Sequence, residues 1–98
     1  MHDILANIEP CFFKKNEVIF AELDEFNCVV FIDSGTTGVG FEINKKTRFC
    51  LRYDNCAIYG AFGVTFRQRS KFVYKCFSKC TGQFIRAENW HNILESRP

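Results

Sequence analysis

Between residues 36 and 53, apolar and polar side chains alternate with the two-residue period of an extended chain. Thr37, Val39, Phe41 and Ile43 share one face, and Gly38, Gly40 and Glu42 the other. After a turn at Asn44, Lys45 and Lys46, Phe49, Leu51 and Tyr53 alternate with Arg48, Cys50 and Arg52. The pattern predicts a β-hairpin. Shorter apolar runs at 11–13, 18–20, 28–32, 72–77 and 83–86 read as strands, separated by polar turns at 14–17, 33–35 and 78–82 and by an acidic loop over 21–27. Residues 54–57 lead into the stretch that begins at Tyr59. Asp3 can cap a short helix with Ile4, Leu5 and Ile8 on one side, ended by Pro10. Trp90, Ile93 and Leu94, at i, i+3 and i+4, give a C-terminal helix an apolar stripe in which Trp90 reads as a core anchor. Together these elements predict a mainly β protein: an antiparallel β-roll or jelly-roll barrel of about eight short strands with flanking short α-helices.

The stretch 59–74, YGAFGVTFRQRSKFVY, interrupts this pattern. Gly60 lets the backbone turn sharply and approach a ligand closely, and the amides of Ala61, Phe62 and Gly63 then face outward at the start of a helical turn, the outline of an anion cradle. Arg67, Arg69 and Lys71 follow with cations, and an arginine suits a phosphate because it donates two parallel hydrogen bonds. On these residues alone a plain turn before a solvated loop is the commoner reading.

Composition narrows the classes. Ninety-eight residues make one domain, and with 47% apolar residues and twelve Phe the chain can bury an aromatic-rich interior, which excludes disorder. A net charge of +2 is too small to imply a nucleic-acid partner, and the aromatics around the basic run, Phe66, Phe72 and Tyr74, fit strand positions in a core. No apolar run approaches the roughly 18 residues needed to cross a bilayer, so this segment should not insert into a membrane. The start, MHDILANIEP, has no secretory signal pattern, and a cytoplasmic location is expected. Of the six cysteines, Cys11, Cys28, Cys50 and Cys76 sit in apolar or alternating runs and read as core thiols. Cys76 and Cys80 with His91 could make half a zinc site, but a second close pair is missing. Neither His2 nor His91 has a nucleophile or carboxylate partner in the pattern, so an enzyme is not expected.

In chain order, KKNEVIFAELD at 14–24, CVVFIDSG at 28–35 and YGAFGV at 59–64 resemble stretches of the cyclic-nucleotide-binding domains of cation channels and cAMP-dependent kinase regulatory subunits. The first resembles the family's basic turn, apolar strand and acidic-glycine loop, with Leu23 in place of the usual glycine. The second matches its four apolar residues, two spacers and a glycine, here Val29 to Ile32 and Gly35. The third resembles the phosphate-binding cassette that begins Phe-Gly-Glu. The resemblance covers nearly the whole chain, as one domain over 1–98 without the lid helix of nucleotide-binding members. It implies cAMP or cGMP as ligand, with no metal or other cofactor, and a site formed by Tyr59, Gly60, Ala61, Phe62, Gly63, Arg69 and Ser70. Arg69 matches the phosphate-gripping arginine, with a connection from Gly60 one residue shorter than usual.

One departure stands out. The acidic residue that accepts the ribose 2′-hydroxyl in binding members is here Ala61. A hydroxyl left without a partner costs about 1 to 3 kcal/mol, or roughly one to two decades of affinity. In this respect the chain is similar to ether-a-go-go-type potassium channels, whose version of the domain does not respond to nucleotide. The resemblance thus implies a regulatory module of a larger channel or other signalling protein with nucleotide binding weakened or lost, or else a nucleotide-independent structural or interaction roll within a large assembly.

Overall fold

The structure, a computed structural model, describes residues 7–95. Among these lie eight strands: β1 (Glu9–Phe13), β2 (Val18–Phe20), β3 (Cys28–Ser34), β4 (Thr36–Ile43), β5 (Lys46–Asp54), β6 (Ala57–Tyr59), β7 (Val73–Cys76) and β8 (Cys80–Arg86). Two helices join them, α1 (Ala61–Thr65) and α2 (Ala87–Glu95). The strands form two antiparallel sheets with orders β1-β8-β3-β6 and β2-β7-β4-β5. Every strand-to-strand connection crosses from one sheet to the other except the β4–β5 hairpin. This is the β-roll that the alternation predicted.

Crossing at each turn sets the inward faces of the sheets against one another. Val30, Ile32, Tyr59 and Cys80 from the first sheet meet Phe20, Val39 and Cys76 from the second in one buried cluster. The outer face of the first sheet is covered too. Val29 and Ile85, opposite each other on β3 and β8, are fully buried, and Val64 of α1 and Ile93 of α2 are buried on helices that lie against β3. Each such side chain contributes roughly 1.5 to 3 kcal/mol relative to leaving it in water.

Several expectations need correction. The turn expected at 33–35 narrows to Gly35, because β3 runs on to Ser34 and β4 starts at Thr36. The loop expected over 78–82 shortens as well, since β8 begins at Cys80, paired with Phe13 of β1. Strand β6 went unread because three residues are too few to display a period. The helix expected from Asp3 falls mostly outside the described residues; Asn7 is helical and β1 starts two residues later. Cys50 is an exposed thiol, not a core one: the register jumps from Val39 opposite Leu51 to Gly40 opposite Phe49, which leaves Cys50 as the extra residue of a bulge. The interior is also less aromatic than twelve Phe suggested. Phe12, Phe62, Phe66 and Phe72 are exposed, so the core positions expected for Phe66 and Phe72 are wrong. Phe66 follows α1 and Phe72 precedes β7, outside the strands. Trp90 is half-buried and donates from Nε1 to Thr65 Oγ1 at 2.9 Å, anchoring α2 to α1.

All six thiols are free, and Cys76 and Cys80 face each other in the core where β7 turns into β8. Among the described residues no three His, Cys, Asp or Glu side chains converge to hold a metal. Burial, then the hydrogen bond and charge of Cys80, pushes the Cys76 thiol up to about 12 from 9.0. Burial, helped by Cys28 and Asp33, pushes Cys11 up to about 11. Tyr59 and Tyr74 shift upward mainly by burial. A raised folded-state value stabilises the fold fully below the unfolded value and loses that contribution as pH climbs through the folded one. Urea denaturation under reducing conditions should therefore show stability falling above pH 9 and on toward pH 12, by up to about 1.4 kcal/mol per pH unit for each thiol involved. Cys76→Ser should make the fall shallower, and a level profile across that range would contradict the account.

Candidate functional site

The site is built where β6 crosses to β7 through α1. Gly60 caps the helix with φ +90° and ψ −8°, and a Cβ there would lie 2.7 Å from the Cys28 carbonyl oxygen, so both conformation and space call for glycine. Val64 N–H bonds to the Gly60 carbonyl at 2.8 Å, leaving the N–H groups of Ala61, Phe62 and Gly63 as the open first turn. The helix closes at once. Gln68 N–H reaches the Gly63 carbonyl at 2.9 Å and Arg67 N–H the Val64 carbonyl at 3.4 Å, with Arg67 itself at φ +53°. That is a Schellman ending with arginine at the position where glycine is preferred.

The basic loop after α1 is pinned to the loop between β2 and β3. Leu23 N–H donates to Ser70 O and Ser70 N–H to Asp24 O, both at 2.8 Å, and an isolated bridge pairs Glu25 with Arg69. The Arg69 guanidinium donates to Leu23 O at 3.0 Å and to Glu25 Oε1 at 2.9 Å. Leu23, expected from the resemblance at a glycine position, has φ +70°, the left-handed conformation for which glycine is suited. Phe26, from the same loop, lays its ring over α1: a Cβ on Gly63 would overlap that ring. Phe20 and Tyr74 hold Phe26 in edge-to-face contacts at 4.8 and 6.2 Å.

Gly60, Phe62, Gly63 and Arg69 of the expected site line one cavity of about 270 Å³. Tyr59, Ala61 and Ser70 are not part of its lining. Tyr59 points into the core, where its hydroxyl and Thr37 Oγ1 share a 2.5 Å hydrogen bond. Ser70 is buried and its hydroxyl donates to the Phe72 carbonyl. Ala61 is half-buried in the first turn of α1. The remaining walls, Phe26, Gln68, Lys71, Phe72 and Tyr74, were not assigned to the site from sequence. Lys71 was visible as one of the three basic residues, whereas Phe26 lies in an irregular loop that gives no periodic signal. A second cavity of about 560 Å³ lies between α1 and α2 and takes in Arg67, Glu88, His91 and Glu95. Phe26, Gly63, Gln68 and Arg69 are walls of both. Among the described residues no helix is long and apolar enough to cross a membrane.

No family model matches the sequence, and no curated protein matches it. Solved structures do match. The regulatory domain of Toxoplasma gondii PKA with cAMP superposes with a TM-score of 0.84 at 12% identity, over 92% of this chain and 34% of that one. The Thermus thermophilus catabolite activator protein gives 0.80 at 10% identity, over 93% and 43%. A cAMP-binding acyltransferase from Mycobacterium smegmatis gives 0.78 at 14% identity, over 93% and 28%. The fold is that of a cyclic-nucleotide-binding domain. This chain spans less than half the length of each of those three chains.

In this cyclic-nucleotide-binding fold, the contact of Phe26 with Gly63 sets the place of α1 relative to the cavity. Gly63→Ala should destabilise the domain by about 1 to 3 kcal/mol through overpacking. In a Phe26→Ala background the same change should cost almost nothing, or gain up to about 1 kcal/mol from alanine's helix preference. Equal costs in the two backgrounds, measured by urea denaturation, would show that the ring does not constrain the helix.

Proposed function

We propose that this domain is a cyclic-nucleotide-binding-type regulatory module of a larger signalling protein, with cAMP or cGMP binding weakened. The observation that carries this reading is the shared cavity: the Gly60 turn, the glycine at 63 and Arg69 border one hollow beside a β-roll. Two features support weakening. Ala61 offers no acceptor for a ribose hydroxyl, and Arg69 is already engaged by Glu25 and the Leu23 carbonyl. The Arg69–Glu25 pair is exposed, 61% and 76% at the side chains, and so is worth about 0 to 1 kcal/mol. Its release is affordable to a ligand, but the carboxylate stays beside any phosphate that arrives. Of the settings the resemblance implies, a cation or potassium channel is the one that Ala61 favours. In that setting the roll lies on the cytoplasmic side and acts through its neighbours without catalysing a reaction. The second reading, a nucleotide-independent interaction roll, is favoured by the same Arg69–Glu25 pairing.

Calorimetry on the full-length protein discriminates between them. Saturable binding of cAMP or cGMP is expected in the high micromolar to millimolar range, weakened tenfold or more by Arg69→Ala. Ala61→Glu should strengthen it by roughly ten- to a hundredfold. Absence of heat at millimolar nucleotide in the Ala61→Glu protein would reject the sensor reading in favour of the interaction roll.

A further inference from the structure

We propose that the open edge of β5 is a docking surface for a second copy of this chain, the two edges pairing antiparallel so that two β2-β7-β4-β5 sheets become one. The pairing is independent of what the cavity beside Gly60 holds, since no residue of β5 lines that cavity. Each sheet has two outer strands, and three of the four are poor templates. β2 and β6 have three residues each, and β1 carries Pro10. Short edges and proline are common guards against edge-to-edge pairing. β5 has nine residues without proline, and all but Phe49 are exposed. Its row of outward backbone groups is therefore an open template.

Which backbone groups point outward follows from the ladder. Along an antiparallel strand, residues alternate between bonding the neighbour and facing away from it. The two-residue turn at Asn44 and Lys45, both at positive φ, makes Ile43 and Lys46 a bonded pair, so Thr47 and Phe49 face the open edge. At the other end, Asn55 N–H donates to Gly35 O, whereas Thr36 directs its N–H to Ser78 Oγ and its carbonyl to Phe77 N–H, both away from β5. Asp54, opposite Thr36, and Arg52, two residues before it, therefore face the edge as well. The bulge at Cys50 is what moves the alternation from odd to even positions. The outward set, 47, 49, 52 and 54, is symmetric about the bond between Cys50 and Leu51. A two-fold axis there sets Thr47 opposite Asp54 and Phe49 opposite Arg52, each twice, and no other register pairs all four. The side chains agree. Arg48 falls opposite Tyr53 and Arg52 opposite Phe49, a guanidinium against a ring in both. Lys46 falls opposite Asn55, so no like charges meet. Slipping the copy toward the hairpin tip, to set Thr47 opposite Phe49, puts Arg48 against Arg48.

An interface one strand wide belongs to the weak, transient class. The ¹⁵N-labelled 98-residue chain is therefore followed under reducing conditions, by sedimentation and by amide hydrogen exchange, from about 10 µM to 1 mM. A monomer–dimer equilibrium is expected. Exchange at Thr47, Phe49, Arg52 and Asp54 should slow threefold or more across that range, while Arg48, Tyr53 and Asn55, already bonded within the sheet, change less. Thr47→Asp sets two carboxylates opposite each other at both ends of the pairing and should weaken association fivefold or more, whereas Thr47→Lys, facing Asp54, should tighten it. Residue 47 bonds nothing in its own sheet through its outward groups, and the spectra report whether each variant is folded. The proposal is overturned by a chain that stays monomeric at the top of the range with those four amides open, an outcome that leaves the edge to an extended segment of another protein. Dimerisation that protects another edge or the α1 surface instead also overturns it, as does a shift of association in the same direction by both Thr47 variants.

Discussion

Two small sheets that must bury their inner faces against each other are the constraint on which this chain depends. A single four-stranded sheet of such short strands leaves one face wet, and the second sheet removes it from water. The chain meets the constraint by changing sheets at almost every connection, so that β3 and β4 are divided by one residue and yet lie in different layers. Those corners are tightly bonded. Thr36 N–H donates to Ser78 Oγ at 2.9 Å, Phe77 N–H donates to Thr36 O at 2.8 Å, and Asn55 N–H donates to Gly35 O at 2.8 Å. The three bonds tie the β3–β4, β5–β6 and β7–β8 corners to one another, at the end of the roll where Cys76 and Cys80 meet.

The candidate site follows from the one crossing that is not a tight turn. Between β6 and β7 the chain spends thirteen residues, of which five form a helix. A helix so short is not stable alone in water, so its position must come from packing. Val64 supplies part of that by sinking onto the first sheet, the Trp90 indole holds Thr65 from α2, and the Phe26 ring lies against Gly63. Of these anchors the Phe26–Gly63 contact borders both cavities. Residues 26, 63, 68 and 69 border both the cavity against α2 and the cavity beside Gly60.

Where side chains repeat with a period, the sequence was informative; where one residue decides geometry, it was not. The β4–β5 hairpin was legible from its alternation, and the Gly60 turn from the contrast of glycine with the apolar residues around it. The bulge at Cys50 was hidden because a one-residue slip leaves the pattern on each side intact. Leu23 looked like a departure from a glycine position, yet its backbone goes left-handed there all the same, held by the two bonds that Ser70 makes to Leu23 and Asp24. Of the seven residues expected at the site, the four that line the cavity come from the turn and the arginine. Tyr59 and Ser70 neighbour them in sequence but alternate inward, and Ser70 is held there by its own bond to Phe72.

The basic run shows most clearly why adjacency in sequence misleads about charge. Arg67, Arg69 and Lys71 read as one patch, but the backbone divides them. The left-handed residue that ends α1 sends Arg67 to the cavity against α2. The bridge to Glu25 fixes Arg69 in a pair whose charges nearly cancel, and Lys71 is left facing the aromatic hollow without a counter-ion. Coulomb energy between exposed charges is only about 1 kcal/mol at 4 Å in water, but it rises severalfold where low-dielectric walls displace solvent. Arg69 and Lys71 both border the ring-lined cavity, but only Arg69 has a carboxylate beside it. For this reason three basic residues that are near neighbours in sequence are not equivalent toward an anion.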